Sequence, residues 1–237
     1  MEREELLKRL VLSSVPIREL GAGNLPVGSA SSSLIRHGGK KVLLTVSHAT
    51  CEGRWAVELQ PEPPSGATLW QLGRMNYLAT GDIGVPSLRD IDFAYTLIPE
   101  DVVPMHPFFC PESLDLLGCE PKLVMETAFE GEPVGEGRYG FFGLTRTRHE
   151  AGRLCSDSRL VTDMSYVEQR GDFFVFKLAT NYEDDDDYRG CSGAPILGED
   201  GQLVALVALG DRDEDCIYGT ALRPLRVALD IECGLVR

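Results

Sequence analysis

Leu6, Leu7, Leu10 and Val11 fall on one helical face within Glu2–Ser14, and that spacing predicts a short N-terminal helix. From about Gly21 the pattern changes. Short apolar runs recur at Ser33–Arg36, Lys41–Val46, Phe93–Ile98, Lys122–Thr127, Asp172–Leu178 and Leu203–Leu209, with Gly, Pro and Asn punctuating the stretches between them. Runs of this length with frequent turn signals predict strands, and hence an all-β barrel or sandwich. His37-Gly38-Gly39-Lys40 predicts a hairpin turn joining two of the strands. Pro224, then Leu225, Val227, Ala228 and Ile231, with Gly234 after them, predict a C-terminal helix.

Prolines at 99, 104, 107, 111 and 121 divide the strand series into two halves. Proline lacks the N–H that a ladder needs, so this stretch reads as the connector between two strand-built units. Pro61–Gly66 reads as an irregular surface loop. A chain of 237 residues with 43% hydrophobic and 25% charged residues has the ordinary globular balance and can bury a core.

Charge narrows the partners. Lys and Arg number 23 against 37 Asp and Glu, a net charge of −14, which repels phosphate backbones and anionic lipid. No nucleic acid and no membrane is therefore expected as a partner. The N-terminus lacks the continuous apolar stretch of a secretory signal, and the longest apolar run, Leu203–Leu209, is too short to cross a bilayer. Seven cysteines (51, 110, 119, 155, 191, 216 and 233) form an odd set without CxxC spacing, which fits reduced thiols better than a disulfide framework. The expected location is cytoplasmic.

The segment richest in chemistry is Arg189-Gly190-Cys191-Ser192-Gly193-Ala194-Pro195. Glycines on both sides of a serine let the chain turn tightly and bring backbone N–H groups beside the hydroxyl, as a developing oxyanion requires. Val42-Leu43-Leu44-Thr45-Val46-Ser47-His48 is an apolar strand ending in histidine, the side chain best suited to accept a serine proton near neutral pH. In Asp90-Ile91-Asp92-Phe93-Ala94-Tyr95 an acidic residue opens another strand, where it could orient an imidazole. Taken singly, these read equally as a turn, a capped histidine and a solubilised strand edge.

Together the three segments resemble the trypsin-like (chymotrypsin-fold) serine peptidases, whose chain order is also His, Asp, Ser. Leu43–His48 is similar to that family's "LLTAAH", Asp92-Phe93-Ala94-Tyr95 to its "DIAL", and Gly190–Pro195 to its "GDSGGP". The resemblance implies two six-stranded antiparallel β-barrels, at 21–105 and 122–223. A connector at 106–121, an N-terminal helical extension at 1–20 and a C-terminal helix at 224–237 would complete the chain. It implies a triad of His48, Asp92 and Ser192, an oxyanion hole from the backbone N–H groups of Gly190 and Ser192, protein or peptide substrates, and no metal or other cofactor.

It also implies a specificity pocket floored by Asp186, six residues before Ser192, with Leu209, Gly210 and Tyr218 as walls. Acidic runs at Glu183–Asp187 and Asp211–Asp215 would then favour Arg or Lys at the cleaved position, unless they are solvated loops. One departure matters. Cys191 stands where zymogen-activated members carry an aspartate that pairs with a new N-terminus. The expectation is an enzyme active as made, or one switched by a regulatory protein partner that orders the oxyanion loop. The competing class is a catalytically silent or effector-gated binding module with the same barrels. His106, Cys110 and Cys119 lack the paired spacing of a zinc site.

Overall fold

The computed structural model describes residues 1–62, 66–80, 89–113, 115–126, 129, 131–150 and 153–236. Residues 63–65 of the expected loop and Thr127 of an expected strand lie outside the described residues. Helix α1 (Arg3–Ser13) runs directly into strand β1 (Ser14–Leu20), and β2 (Pro26–His37) and β3 (Lys40–Thr45) follow. A single turn, α2 (Ser47–Thr50), leads into β4 (Arg54–Glu62), β5 (Gly66–Gln71), β6 (Asn76–Thr80) and β7 (Arg89–Ile98). Next come β8 (Met105–Phe109), β9 (Leu116–Pro121) and β10 (Val124–Glu126). The second half holds β11 (Arg138–Glu150), β12 (Arg153–Arg170), β13 (Phe173–Lys177), β14 (Pro195–Gly198), β15 (Leu203–Asp211) and β16 (Cys216–Ala221), and the chain closes with α3 (Leu225–Glu232).

The strands form two large sheets and one two-stranded hairpin. The first has the order β5-β4-β1-β2-β3-β7-β6, with β10 adding in parallel to β2. The second is a closed six-stranded barrel, β11-β12-β13-β16-β15-β14. The first sheet therefore has eight strands where six were expected, because β1 and β10 join it from segments read as extension and as second barrel. The Pro-rich connector is itself a two-stranded hairpin of β8 and β9. Gly38 and Gly39 both take positive φ (55° and 75°), which makes the β2–β3 hairpin at the expected place.

Each sheet buries its alternate residues. Leu34, Leu43, Ala94, Val57 and Ile17 fill the first. Phe141, Phe176, Met164, Ile196 and Ala205 fill the second. Helix α1 packs on the second unit: Leu10 is fully buried in a cluster with Leu197 and Leu203, and Arg9 Nε donates to the Gly201 carbonyl at 3.0 Å. The helix is a packed element of the core. Arg18 of β1 ties the sheets together, donating to Glu58 at 2.8 Å and to Ser156 Oγ of β12 at 2.7 Å. All seven cysteines are free. Among the described residues no helix is long and apolar enough to cross a membrane.

Lys122 is a buried amine in this framework. Its Nζ donates to the Val11 carbonyl at the end of α1 (2.8 Å) and lies 3.4 Å from His106 Nδ1. Desolvation lowers its pKa to about 7, against a smaller upward pull from Glu58. Desolvation, and then the Lys122 charge, lowers His106 to about 4. Between pH 7 and its ordinary value of 10.5 the unfolded chain holds a proton on Lys122 that the folded chain lacks, so this group makes stability rise with pH across that window. Urea midpoints of wild type minus Lys122→Met should therefore climb from pH 7 to 9. Parallel curves would contradict the burial of an ionisable amine here.

Candidate active site

Strands β3 and β7 pair antiparallel with Thr45 opposite Ala94. Two residues further along the same register, Ser47 comes opposite Asp92 and opens the α2 turn, with His48 next in that turn. The Asp92 carboxylate accepts three hydrogen bonds: from the Ser47 hydroxyl (2.9 Å), from the His48 backbone N–H (3.0 Å) and from His48 Nδ1 (2.8 Å). Burial pushes the Asp92 carboxyl up, but these donors outweigh it and hold the group below its ordinary value. His48 Nε2 lies 3.0 Å from Ser192 Oγ. The three side chains converge at the seam between the two sheets.

Ser192 sits between a 3₁₀ turn at Asp185–Asp187 and β14. The loop is fastened to the end of β14–β15 pairing, with Gly193 N–H donating to Val207 O and Val207 N–H to Ala194 O, both at 2.8 Å. It is also fastened to the other sheet by Ser31 of β2. Ser31 N–H donates to Ser192 O (3.0 Å), Ser31 Oγ donates to Gly190 O (2.8 Å), and Leu144 N–H of β11 donates to Ser31 Oγ (2.9 Å). Thr45 Oγ1 in turn donates to Ser31 O at 2.8 Å. Gly193 packs against this pair so closely that a Cβ would come within 2.2 Å of both Ser31 O and Thr45 Oγ1, at a φ of +86°.

Gly190 takes a φ of +105°, and a Cβ there would lie 3.1 Å from Leu144 O. That conformation is open to glycine and costly for other residues. Among the described residues no protein acceptor takes the N–H of Gly190 or of Ser192. Cys191 is fully buried, its Sγ 3.2 Å from Leu144 O, and burial pushes its thiol up to about 12. A thiol so raised stays protonated. In its neighbourhood the buried acid is Asp187, whose carboxylate is shared by Arg146 and by Arg159 Nη1 (3.0 Å). Arg159 also lies over the Tyr188 ring, 4.6 Å from its centroid.

The expected substrate-binding residues are placed differently from one another. The Asp186 side chain is 63% exposed and faces Arg189, so it does not floor a pocket. Its neighbour Asp187 points inward instead, because the 3₁₀ turn rotates consecutive side chains to different faces. Leu209 and Gly210 are exposed at the end of β15. Tyr218 Oη is engaged by Arg170 Nη1 at 2.6 Å. Three of the four acids in 211–215 are turned onto their own surroundings. Asp211 accepts from the backbone N–H of Asp213 and Glu214, Glu214 pairs with Arg170, and Asp215 accepts from the Tyr182 N–H. The expectation of Arg or Lys at the cleaved position thus loses the carboxylate it rested on.

Comparison with solved structures gives likenesses along nearly the full length. A serine endoprotease from Yersinia pestis is 14% identical, with a TM-score of 0.54 over 100% of this chain and 67% of that one. Human heparin binding protein is 12% identical at a TM-score of 0.56, covering 94% of this chain and 91% of that one. HL collagenase is 11% identical at 0.56, covering 97% and 96%. The fold is the chymotrypsin-like double barrel. No family model matches the sequence, and no curated protein matches it. Identities this low carry the fold alone, and the chemistry has to be read from the residues on it.

Several residues that shape this site were not singled out by sequence reasoning. Ser31 lies in the run Ser31-Ser32-Ser33, and nothing in the linear pattern separates it from its neighbours. Asp187, Arg146 and Arg159 lie far apart in sequence, and only the folded chain brings them together. The contacts at Gly193 and Ser31 lead to a stability prediction. Gly193→Ala should cost about 3 kcal/mol or more, since the neighbours are backbone and a packed threonine. Ser31→Ala, which strands the buried Leu144 N–H, should cost about 1–3 kcal/mol. Gly73→Ala, with open space around it, should stay within about 0.5 kcal/mol of wild type. Denaturant unfolding measures all three.

Proposed function

We propose that the protein is a serine endopeptidase that cleaves protein or peptide substrates through an acyl-enzyme. The observation that carries this reading is the hydrogen-bonded chain from Asp92 to His48 to Ser192, at 2.8 and 3.0 Å. Each role follows from the chemistry of the group. Ser192 Oγ attacks the scissile carbonyl carbon as His48 Nε2 takes the hydroxyl proton. Asp92, kept ionised by its three donors, fixes the imidazole tautomer and stabilises the imidazolium. The carbonyl oxygen, now an anion, accepts from the Gly190 and Ser192 N–H groups, which no other described protein group occupies. The imidazolium then protonates the departing amine, leaving an ester on Ser192. Water, deprotonated by His48, attacks that ester, and the free acid leaves as Ser192 regains its proton.

The same geometry supports an enzyme active as made. The nucleophile loop is held by Ser31, by the β15 backbone and by the buried Asp187 pairs, all internal to this chain. None of these contacts needs a freshly cut N-terminus, and Cys191 could not pair with one. A regulatory partner would then tune an already ordered site.

A small fluorophosphonate should label wild type on Ser192 and label neither Ser192→Ala nor His48→Ala. Asp92→Asn should lower the labelling rate by roughly 10⁴-fold with its thermal midpoint kept, because the amide favours the wrong tautomer. A folded wild-type protein left unlabelled would turn the assignment to the catalytically silent binding module.

A further inference from the structure

Tyr182 occupies the face of β15 where a pocket was expected. A Cβ at Gly210 would lie 2.3 Å from Tyr182 Oη, 2.4 Å from Cε2 and 2.7 Å from Cζ. The ring therefore lies directly on the Gly210 Cα, on the side where a bulkier residue would project a side chain. It is 6% exposed and stacks on Tyr188, with centroids 4.3 Å apart and planes at 22°. Both rings belong to one cluster with Cys191, Ala194, Val207 and Ile217, residues that bracket Ser192 in sequence or pair beside it.

The plug is built in from several directions. Tyr182 N–H donates to Asp215 Oδ1 at 2.8 Å, and Leu178 N–H donates to Asp215 O at 2.9 Å. Asp215 itself holds a φ of +47° and pairs with Lys177 at 3.5 Å. On the far side, Tyr188 is covered by Arg159, which is fixed by the buried Asp187. Stacked, nearly parallel aromatic rings with anchored backbones form a rigid filling. Val207, three residues before Gly210, is hydrogen-bonded to both Gly193 and Ala194, so the plugged face lies beside the nucleophile loop.

We infer that Tyr182 fills the primary specificity pocket from within, so that the enzyme accepts only Gly or Ala as the residue whose carbonyl Ser192 attacks. This rests on the endopeptidase reading above. A long or aromatic side chain at that position would have to displace a buried ring, whereas a hydrogen or a methyl group needs no space beyond the surface of the plug. Basic residues are excluded on two counts: no room, and no free buried carboxylate among the described residues to meet the charge.

The test compares tetrapeptide anilides that differ only in the residue before the cleaved bond: Ala, Phe, Arg and Glu. Wild type should cleave the Ala peptide best, with kcat/KM at least about 100-fold above Phe and Arg. Tyr182→Ala should raise the Phe-to-Ala ratio by about tenfold or more, while Tyr182→Phe keeps the wild-type order. Wild type cleaving Phe or Arg peptides as fast as Ala overturns the inference, even if Tyr182→Ala does not fold. So does an unchanged ratio in a folded Tyr182→Ala. Indole binding, followed by NMR in the Ser192→Ala background, gives a readout that needs no catalysis. Binding that appears only when Tyr182 is also replaced by Ala supports the plug, and its absence in the folded double variant overturns it. Failure of fluorophosphonate labelling, by contrast, counts against the endopeptidase reading and leaves the indole result to judge the plug.

Discussion

The site depends on how closely the backbone of one sheet approaches the loop of the other that carries Ser192. Ser31 O and Thr45 Oγ1 stand where a Cβ on Gly193 would have to be, and Ser31 bonds to both Gly190 and Ser192 through its side chain and its N–H. An approach this tight leaves the loop few alternative conformations. It also couples the two units, because the loop that carries Ser192 belongs to the closed barrel while the groups that fix it belong to the first sheet. His48 and Asp92 are set by the same first sheet, through the β3–β7 register. One packed seam thus fixes all three side chains relative to each other. The entropy of holding the groups in place is thus met during folding.

Electrostatics is arranged around that seam with little left open. Although the chain carries a net charge of −14, three acids near the proposed site are individually matched. Asp92 is kept ionised by three donors, Asp187 faces two guanidinium groups, and Asp215 meets a backbone N–H and Lys177. Buried charges are tolerated when paired and hydrogen-bonded, and removing one partner is what makes them costly. Asp187 and Asp215 therefore act as internal fasteners, a role that a count of charges along the chain does not suggest.

Much of this architecture is legible in the linear pattern of residues. The β2–β3 hairpin is visible there because two glycines in succession favour positive φ, and the core strands because their apolar runs are short and bounded. The long strands β11 and β12 are not visible. β12 spans 18 residues with most of its side chains at least partly exposed, so it shows no apolar run, and the β11–β12 ladder is broken by register shifts that disturb its alternation. β1 escapes notice because it follows α1 without a turn. Ser192, His48 and Asp92 can be picked out because each sits at the end of an apolar strand or between glycines, in a chain order that matches a familiar pattern.

What the sequence determined by itself was the all-β class and the hairpin, which are written in local periodicity and turn chemistry, while the three residues that could cooperate were marked out by the resemblance of their motifs to a known family. What only the tertiary structure decided was which acid points inward, which serine joins the sheets and what fills the space beside Gly210. Asp186 and Asp187 are identical in type and adjacent in chain, and a rotation of one residue in a 3₁₀ turn sends one to solvent and the other to two arginines. Side-chain direction at such a turn is fixed by long-range packing, and long-range packing is the information that a linear pattern does not carry.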